Sequence, residues 1–546
     1  MTKQWGPFTR PPNLLILLAD QQRTTQHMPA HWVRQHLPHL WRLMQTGVSF
    51  SNAMTNASPC SPSRSVLWTS TFPQINGVVD NAQSANTSLQ PGRIPGRPLP
   101  IGTLAQMLAS LAPAGVVYDI AYKGKWHLTY GYQGTHSPQS TGGGGIAPDQ
   151  QQANGAKQAS DNAHIAQTYG FSGWTSPDFG TAVSVASNGA YTLGQGLGGN
   201  DDRVVHGISY SSAGEVENAR QFLTRHATQR SAQRQPYCLI ASLCNPHDVW
   251  VAPVQYRQTG YSNGSGTPPW QCGHFLEISL PATFDQDPSV LSGKPAAQLQ
   301  TAWHPGYSKD EALDYLRFYA YIETLTDALL GELLDALGPQ QRADTLIVRL
   351  ADHGEMGMAQ GGMVEKENQA YNETLLVPMV FSHPGLPQGE SCAALAGLID
   401  IVPTLAEICG LAAPGDAYLI QGRSLAPTIL AGAAGVTYHQ HLFTNPLTPL
   451  YALVEDHQHH AKYVVTSNGT GWQCELYDFR YDPGSATPWP DERSNLIPVD
   501  GLMKGSRAGS DEQQQLWRQM HLALSDAMLA RGIPTPSAWP EAPPSA

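Results

Sequence analysis

The sequence predicts an α/β fold with a mostly parallel β-sheet flanked by helices, followed by a small C-terminal antiparallel sheet. Three observations predict it: four short apolar runs, amphipathic helical segments between them, and a change to shorter segments after Gly432. The chain has 546 residues, of which 41% are hydrophobic and 14% charged. Because this length exceeds that of one ordinary core, we expect two domains, at residues 1–435 and 436–546.

The four apolar runs are each followed by polar residues. Near-continuous apolar runs are typical of strands buried on both faces, as in a parallel sheet. Ligands bind beyond the carboxyl ends of such strands, so we expect the polar residues there to converge on one site. The runs are Leu14–Leu18, Tyr118–Tyr122, Cys238–Leu243 and Leu346–Leu350, followed by Asp20 and Gln21, Lys125 and His127, Asn245 and His247, and Asp352 and His353, respectively.

Helical periodicity separates these runs. Apolar side chains share one helical face in two segments, which together with the strands indicates a layered α/β domain. The C-terminal region shows three short strands and a closing helix. The helical faces consist of Ile101, Leu104, Leu108 and Leu111, and of Tyr321, Ile322, Leu325, Leu329 and Leu333. The C-terminal strands are Tyr451–Val454, Tyr463–Thr466 and Cys474–Phe479, and the helix is Glu512–Ala530.

Composition excludes several classes of function. The net charge is -12, so a basic face for nucleic acid is not expected. The run Leu14–Ala19 is far shorter than the roughly 20 residues of a membrane span, and it leads directly into Asp20. The 7 cysteines are scattered and indicate neither a disulfide framework nor a zinc pair. We expect a cytoplasmic protein without a membrane segment; the sequence does not indicate its oligomeric state.

Two long stretches look irregular. Gln133–Gly199 is rich in Gly, Gln, Ser and Asn, and Val254–Pro305 is rich in Pro, Gly and Ser. Loops of this length are often lids or binding segments. The sequence leaves two interpretations open, that both stretches border a substrate pocket or that they are surface insertions.

The strongest local signal is the segment Ser58–Arg64. Pro62 suits an early helical position, which places Cys60 near a helix N-terminus. Backbone donors and the helix dipole favour an anionic group there, and Arg64 adds a cation that can hold an oxyanion. Position alone leaves open whether Cys60 is reactive or a buried, inert cysteine.

The pattern Cys-x-Pro-x-Arg, present as Cys60, Pro62 and Arg64, resembles the signature of type I sulfatases in the alkaline phosphatase superfamily. The resemblance implies an alkaline-phosphatase-like fold and hydrolysis of sulfate monoesters to alcohol and sulfate. It also implies that a formylglycine-generating enzyme oxidises Cys60 to formylglycine, whose hydrate is the nucleophile. Further segments resemble family motifs in family order: Ala19–Arg23, Gly124–Leu128, Asn245–Asp248, Ala351–Glu355 and Glu365–Glu373.

The same resemblance implies one divalent metal ion bound by Asp20, Gln21, Asp352 and His353. Carboxylate and amide oxygens suit a hard cation, so we expect Ca²⁺, with Mg²⁺ as an alternative, and the imidazole also permits Mn²⁺. Many family members have a second Asp at the position of Gln21 and often Asn at that of His353. The chain therefore offers one negative charge fewer, which leaves the identity of the ion open.

Sulfuryl transfer requires cations that stabilise the negative charge of the sulfate oxygens, and a proton for the leaving alcohol. The expected cations are the metal, Arg64, Lys125 and Lys366. His247 is the expected acid, with Lys366 as a second candidate, and His127 is the expected base for release of sulfate. Two alternatives stay open: a phosphonate or phosphate ester hydrolase with the same metal site, and an inactive anion-binding relative in which Cys60 is not converted.

Overall fold

The computed structural model describes most of the chain. The described residues are 7–8, 10–24, 28–85, 87–130, 148–174, 178, 201–205, 209–211, 214–228, 235–251, 267–285, 295, 305–432, 435, 439–455, 459–467, 469–479, 495–497 and 511–543. Large parts of the stretches Gln133–Gly199 and Val254–Pro305 lie outside them. Within the first stretch, Pro148–Tyr169 forms a 22-residue helix, so the prediction of irregular structure is wrong there. Its many Ala and Gln residues favour a helix, and the surrounding glycines masked this signal.

Thirteen strands are described, and seven of them form the main sheet. In chain order they are β1 (Asn13–Asp20), β2 (Gly47–Met54), β3 (Asp119–Gly124), β4 (Ser209–Ser211), β5 (Gly214–Val216), β6 (Tyr237–Pro246), β7 (Thr345–Ala351), β8 (Met379–Ser382), β9 (Glu390–Gly397), β10 (Gln440–Asn445), β11 (Leu450–Glu455), β12 (Ala461–Ser467) and β13 (Trp472–Asp478).

The main sheet has the order β3-β6-β1-β7-β8-β2-β9. Its first four strands contain the four predicted apolar runs, and they are parallel neighbours, with Leu14 opposite Cys238 on one side and Leu346 on the other. Only β8 runs antiparallel to its neighbours β2 and β7 among these described strands. The prediction of a mostly parallel sheet is confirmed, and the carboxyl ends of β3, β6, β1 and β7 lie side by side.

Alternation along β1 divides the core into two layers. Leu14, Ile16 and Leu18 belong to one hydrophobic cluster, whereas Leu15 and Leu17 belong to another. The first cluster includes helices Leu104–Leu111 and Ile401–Ile408, and the second includes helix Lys309–Asp335. Helices therefore cover both faces of the sheet, which explains why these strands have no polar face.

Side-chain caps explain where two of the predicted helices begin. Ser308 and Glu311 form a capping box at the start of Lys309–Asp335, and Thr103 with Gln106 does the same for Leu104–Leu111. Ile101 precedes the second cap and pairs with Gly92 instead, so its assignment to the helix is wrong. The remaining described α-helices are Trp32–His36, Pro38–Gln45, Cys60–Thr69, Pro73–Asn76, Ala82–Ala85, Asp201–Val205, Ala219–Thr228, Pro339–Asp344, Ala359–Gly362, Asn372–Leu375, Pro414–Ala417, Ala426–Ala431 and Asp511–Ala530, and the 3₁₀ helices are His247–Val251, Pro269–Gln271, Gly273–Glu277 and Leu398–Asp400.

The C-terminal sheet is an antiparallel meander in the order β10-β11-β12-β13. Helix Asp511–Ala530 packs on it through Trp517, Met520 and Leu524, beside Leu453 and Val465. The predicted antiparallel sheet and closing helix are confirmed. The domain boundary after residue 435 stays a prediction. None of the helices in the described part of the chain is both long and apolar enough to span a bilayer.

Candidate active site

The carboxyl ends of four neighbouring strands bring the predicted polar residues together. Asp20 ends β1, Lys125 follows β3, His247 follows β6 and Asp352 follows β7. Asp20, Lys125 and Asp352 are fully buried, at 0% exposure, and His247 is partly exposed. The sequence places these residues hundreds of positions apart, and the parallel arrangement of the strands makes them neighbours.

Cys60 is the first residue of helix Cys60–Thr69, so the predicted position at a helix N-terminus is confirmed. Its sulfur lies 3.1 Å from His353 Nε2. Lys125 Nζ and Asp20 Oδ1 each lie 3.8 Å from the sulfur. A reactive group on residue 60 would therefore contact both an ammonium group and the carboxylate-rich cluster.

Arg64 lies one turn further along this helix, and each nitrogen of its guanidinium donates to a protein acceptor. The guanidinium donates to Asp20 Oδ2 at 2.9 Å and to Asp352 Oδ2 at 2.8 Å. Its Nη1 donates to the Lys125 carbonyl at 2.6 Å and to Ser242 Oγ at 2.9 Å. These contacts hold the two carboxylates in place; direct contact of Arg64 with the transferred group stays a prediction.

Positive charge keeps the buried Asp20 ionised. Burial opposes this charge, but Lys125, with Nζ 2.5 Å from Asp20 Oδ2, and Arg64 hold the pKa of Asp20 well below its usual range. The charge of Asp20 is thus available to a bound cation.

The donor set fits a divalent cation. The ligand atoms of Asp20, Cys60, Asp352 and His353 all lie within 4.8 Å of one another. His353 Nδ1 lies 3.0 Å from the Gly354 carbonyl, to which it can donate, so that Nε2 faces the cluster. Two carboxylates and an imidazole are suitable ligands for Ca²⁺, Mg²⁺ or Mn²⁺, so these residues could hold the metal that the sequence predicts.

Gln21 lies beside this cluster in a left-handed backbone conformation, with φ 64°. Its backbone N–H donates to Asp352 Oδ1 at 3.1 Å, and its Oε1 accepts from Lys366 Nζ at 2.7 Å. Its Nε2 donates to Glu355 Oε2 at 2.5 Å. Glu355 therefore determines which end of the carboxamide faces Lys366 and the site.

Glu355 is a residue that sequence reasoning missed. It is fully buried, and its Oε1 accepts from Tyr315 Oη at 2.8 Å, from the Glu365 N–H at 2.9 Å and from the Gly357 N–H at 3.0 Å. The available signal was its place in the motif Ala351–Glu355, where a carboxylate follows the two expected metal ligands at a short interval.

Lys366 links Gln21 to His247. Its Nζ lies 3.3 Å from His247 Nε2 and 2.7 Å from Glu365 Oε2. Burial opposes the positive charge of Lys366, yet Glu365 and Glu367 raise its pKa well above the ordinary value. For His247, burial and then Lys366 hold the pKa well below the ordinary value. The pair is thus a cationic donor beside a neutral imidazole.

His127 is buried and has a positive φ of 58°. Its backbone N–H donates to Asp178 Oδ2 at 2.5 Å, and its carbonyl accepts from Ser61 Oγ at 2.5 Å. The pKa of the imidazole is held well below its ordinary value by burial, followed by Lys125 and Arg64. A neutral imidazole at this place can accept a proton, as its predicted role requires.

Comparison with known proteins shows the family of the chain. The family model described as Sulfatase matches residues 12–411. The chain therefore belongs to the sulfatase family, the sulfuric ester hydrolases of the alkaline phosphatase superfamily, and the predicted family, fold class and reaction are confirmed.

Particular relatives cover most of the chain. It is 25% identical over 427 residues to a choline-sulfatase of Rhizobium meliloti, with 77% of this chain and 72% of the relative covered. The structure of a 2-O GAG sulfatase matches with a TM-score of 0.61 at 21% identity, covering 96% of this chain and 93% of the other. A phosphonate monoester hydrolase from Silicibacter pomeroyi matches with a TM-score of 0.58 at 17% identity, covering 95% and 96%. These two structural matches show a shared fold.

Proposed function

We propose that the chain hydrolyses sulfate monoesters by means of a formylglycine formed from Cys60, together with one divalent cation at Asp20, Gln21, Asp352 and His353. The carrying observation is the position of Cys60 Sγ, which lies within 3.8 Å of Lys125, Asp20 and His353 at the start of a helix. In its hydrated form the formylglycine would supply a hydroxyl nucleophile, and the cation would supply positive charge for the sulfate oxygens.

The side chains around residue 60 have complementary tasks. Lys125 beside the nucleophile and Lys366 beside Gln21 add fixed positive charge, which can stabilise the charge of the sulfate oxygens. Arg64 keeps Asp20 and Asp352 in position for the cation. Since its nitrogens are already engaged by protein acceptors, Arg64 acts as a positioning residue.

Proton transfer to the leaving alcohol is assigned to His247 and Lys366. Lys366 remains protonated, so it can supply the proton to the leaving oxygen, and His247 Nε2, 3.3 Å from Lys366 Nζ, can orient the ammonium group. His127 is neutral because of burial and the adjacent cations, and it can accept a proton when sulfate is released.

A phosphonate or phosphate ester hydrolase remains the second candidate. The observation that favours it is the donor set, because Gln21 gives the cation site one carboxylate fewer than many sulfatases have. We place sulfate first because the family model that matches is that of sulfatases. For the cation we propose Ca²⁺, since three of the four donors are oxygens.

Mass analysis of the Cys60 peptide tests the proposal. Protein co-expressed with a formylglycine-generating enzyme should contain a Cys60 peptide lighter by about 18 Da, because the thiol becomes an aldehyde. Protein expressed without that enzyme is the control and should keep the thiol. An unmodified thiol in a preparation that turns over sulfate esters would refute the role of formylglycine.

A further inference from the structure

A second group of metal-binding side chains lies next to the active site. The ligand atoms of Cys244, His247 and Asp248 lie within 4.8 Å of one another, at the end of β6 and the start of the following 3₁₀ helix. Cys244 and Asp248 are fully buried, at 0% exposure. Asp201 accepts the backbone N–H groups of Cys244 at 2.7 Å and of Asn245 at 2.9 Å, and thereby holds this segment in place.

The two ring nitrogens of His247 differ in their contacts. His247 Nε2 lies 3.3 Å from Lys366 Nζ, whereas Nδ1 is buried and has no hydrogen-bond partner among the described residues. A buried imidazole nitrogen without a partner loses its hydration and gains no contact in return. A bound cation would supply that missing contact.

Binding of a dication to this group would be coupled to loss of the thiol proton. Burial raises the pKa of the Cys244 thiol well above its ordinary value; Lys125 opposes this shift, and Asp248 and Asp201 add to it. A dication would displace this proton, and the resulting thiolate of Cys244 together with the carboxylate of Asp248 would neutralise its charge.

The ligand types differ from those of the first site. Thiolate and imidazole are ligands of Zn²⁺ and related ions, whereas the cluster at Asp20 and Asp352 offers oxygen ligands and one imidazole. The two groups should therefore select different metals, with a hard cation at Asp20 and Asp352 and a softer one at Cys244.

We propose that Cys244, His247 and Asp248 form a binding site for a soft divalent cation such as Zn²⁺, and that its occupation inhibits the enzyme. A metal bound to one imidazole nitrogen removes His247 from proton transfer and adds positive charge beside Lys366. The inhibition rests on the role of His247 in the proposed function, whereas the binding does not.

Cobalt titration tests the binding without any reference to activity. Cys60→Ser removes the thiol of the first site, so a cobalt–thiolate charge-transfer band in this variant has to arise elsewhere. We expect this band to saturate with one Co²⁺ and to be lost in Cys60→Ser/Cys244→Ser. The matched control is Cys60→Ser/Cys272→Ser, which removes an exposed thiol and should retain the band. A missing band, or one that persists without Cys244, would overturn the site.

Zinc inhibition tests the second part of the proposal, that occupation of the site inhibits the enzyme. With formylglycine-containing enzyme saturated with Ca²⁺, Zn²⁺ should inhibit sulfate-ester turnover, and both Cys244→Ser and Asp248→Asn should raise the inhibitory concentration at least about tenfold. Far-ultraviolet circular dichroism checks that the variants are folded. Equal zinc sensitivity in both variants would place the zinc at the first site and refute the inhibitory role. If the enzyme turns over no sulfate ester, the proposed function fails while the cobalt titration still decides the site.

Discussion

The hydrogen bond between Gln21 and Glu355 leads to a reciprocal test. Gln21→Glu replaces a donor nitrogen with an acceptor oxygen at the atom that lies 2.5 Å from Glu355 Oε2. Two buried carboxylates cannot both stay charged at this spacing, so one must take up a proton or move away. Loss of the charge-assisted hydrogen bond together with this repulsion should lower the free energy of unfolding by about 3 kcal/mol.

The reverse exchange should restore the pair. Glu355→Gln keeps an oxygen at Oε1, where Tyr315 and two backbone N–H groups donate, and puts an amide nitrogen at the position of Oε2. In Gln21→Glu/Glu355→Gln the donor and the acceptor change places, and the other oxygen of residue 21 still faces Lys366. We expect each single variant to be destabilised and the double variant to recover most of the loss, with a coupling energy of about 2 kcal/mol.

Urea unfolding of the wild type, the two single variants and the double variant gives the coupling energy. The titrations are done with a chelator present, so that differences in metal affinity do not contribute to the measured stability. Additive single-variant effects, with coupling below about 0.5 kcal/mol, would show that Glu355 does not orient Gln21.

Three further predictions follow from the structure. Lys366→Ala should lower kcat/KM at least about 100-fold with an unchanged circular dichroism spectrum. The control is Lys309→Ala, which removes an exposed ion pair with Asp285 and should leave kcat/KM unaltered. Near-wild-type kinetics of Lys366→Ala would remove Lys366 from the site. Arg64→Lys should lower the unfolding free energy by about 3 kcal/mol, because one ammonium group cannot bridge Asp20 and Asp352 as Arg64 does; an unchanged urea midpoint would contradict this. Burial lowers the pKa of Lys123 to about 8, so the unfolded chain binds the proton more tightly and the free energy of unfolding should rise with pH from about 8 to about 10. Lys123→Met should remove this contribution to the pH dependence of stability. An identical pH dependence of wild type and Lys123→Met in urea titrations would refute the assignment.

The sequence predicts the centre of the main sheet better than its far edge. The apolar runs that predict β1, β3, β6 and β7 are recognisable because apolar side chains occupy both faces of these strands. Three strands of the main sheet were missed: Gly47–Met54 contains polar residues, Met379–Ser382 has 4 residues, and Glu390–Gly397 consists mainly of small side chains. Strands of this kind are defined by pairing with their neighbours, which is not visible in a single segment.

The residues of the candidate site were likewise predicted only in part. Asp20, Cys60, Lys125, Asp352 and other expected site residues follow apolar runs or lie in recognisable motifs, and the structure brings them together. Glu355 and Asp201 were missed because their contacts join residues far apart in the chain: Glu355 accepts from Gln21, and Asp201 accepts from the backbone after β6. Such contacts depend on the tertiary fold, and a local motif gives a signal only for Glu355.

The central claim is tested most directly by the relative turnover of matched esters. A chromogenic aryl sulfate and the corresponding phosphate and phosphonate esters are compared with formylglycine-containing enzyme, with and without chelator, and with Cys60→Ala as the control. We expect the highest kcat/KM for the sulfate, and loss of turnover both on chelation and in the control. A higher kcat/KM for the phosphonate or phosphate ester, or a sulfatase rate in Cys60→Ala equal to that of the wild type, would contradict the proposed reaction.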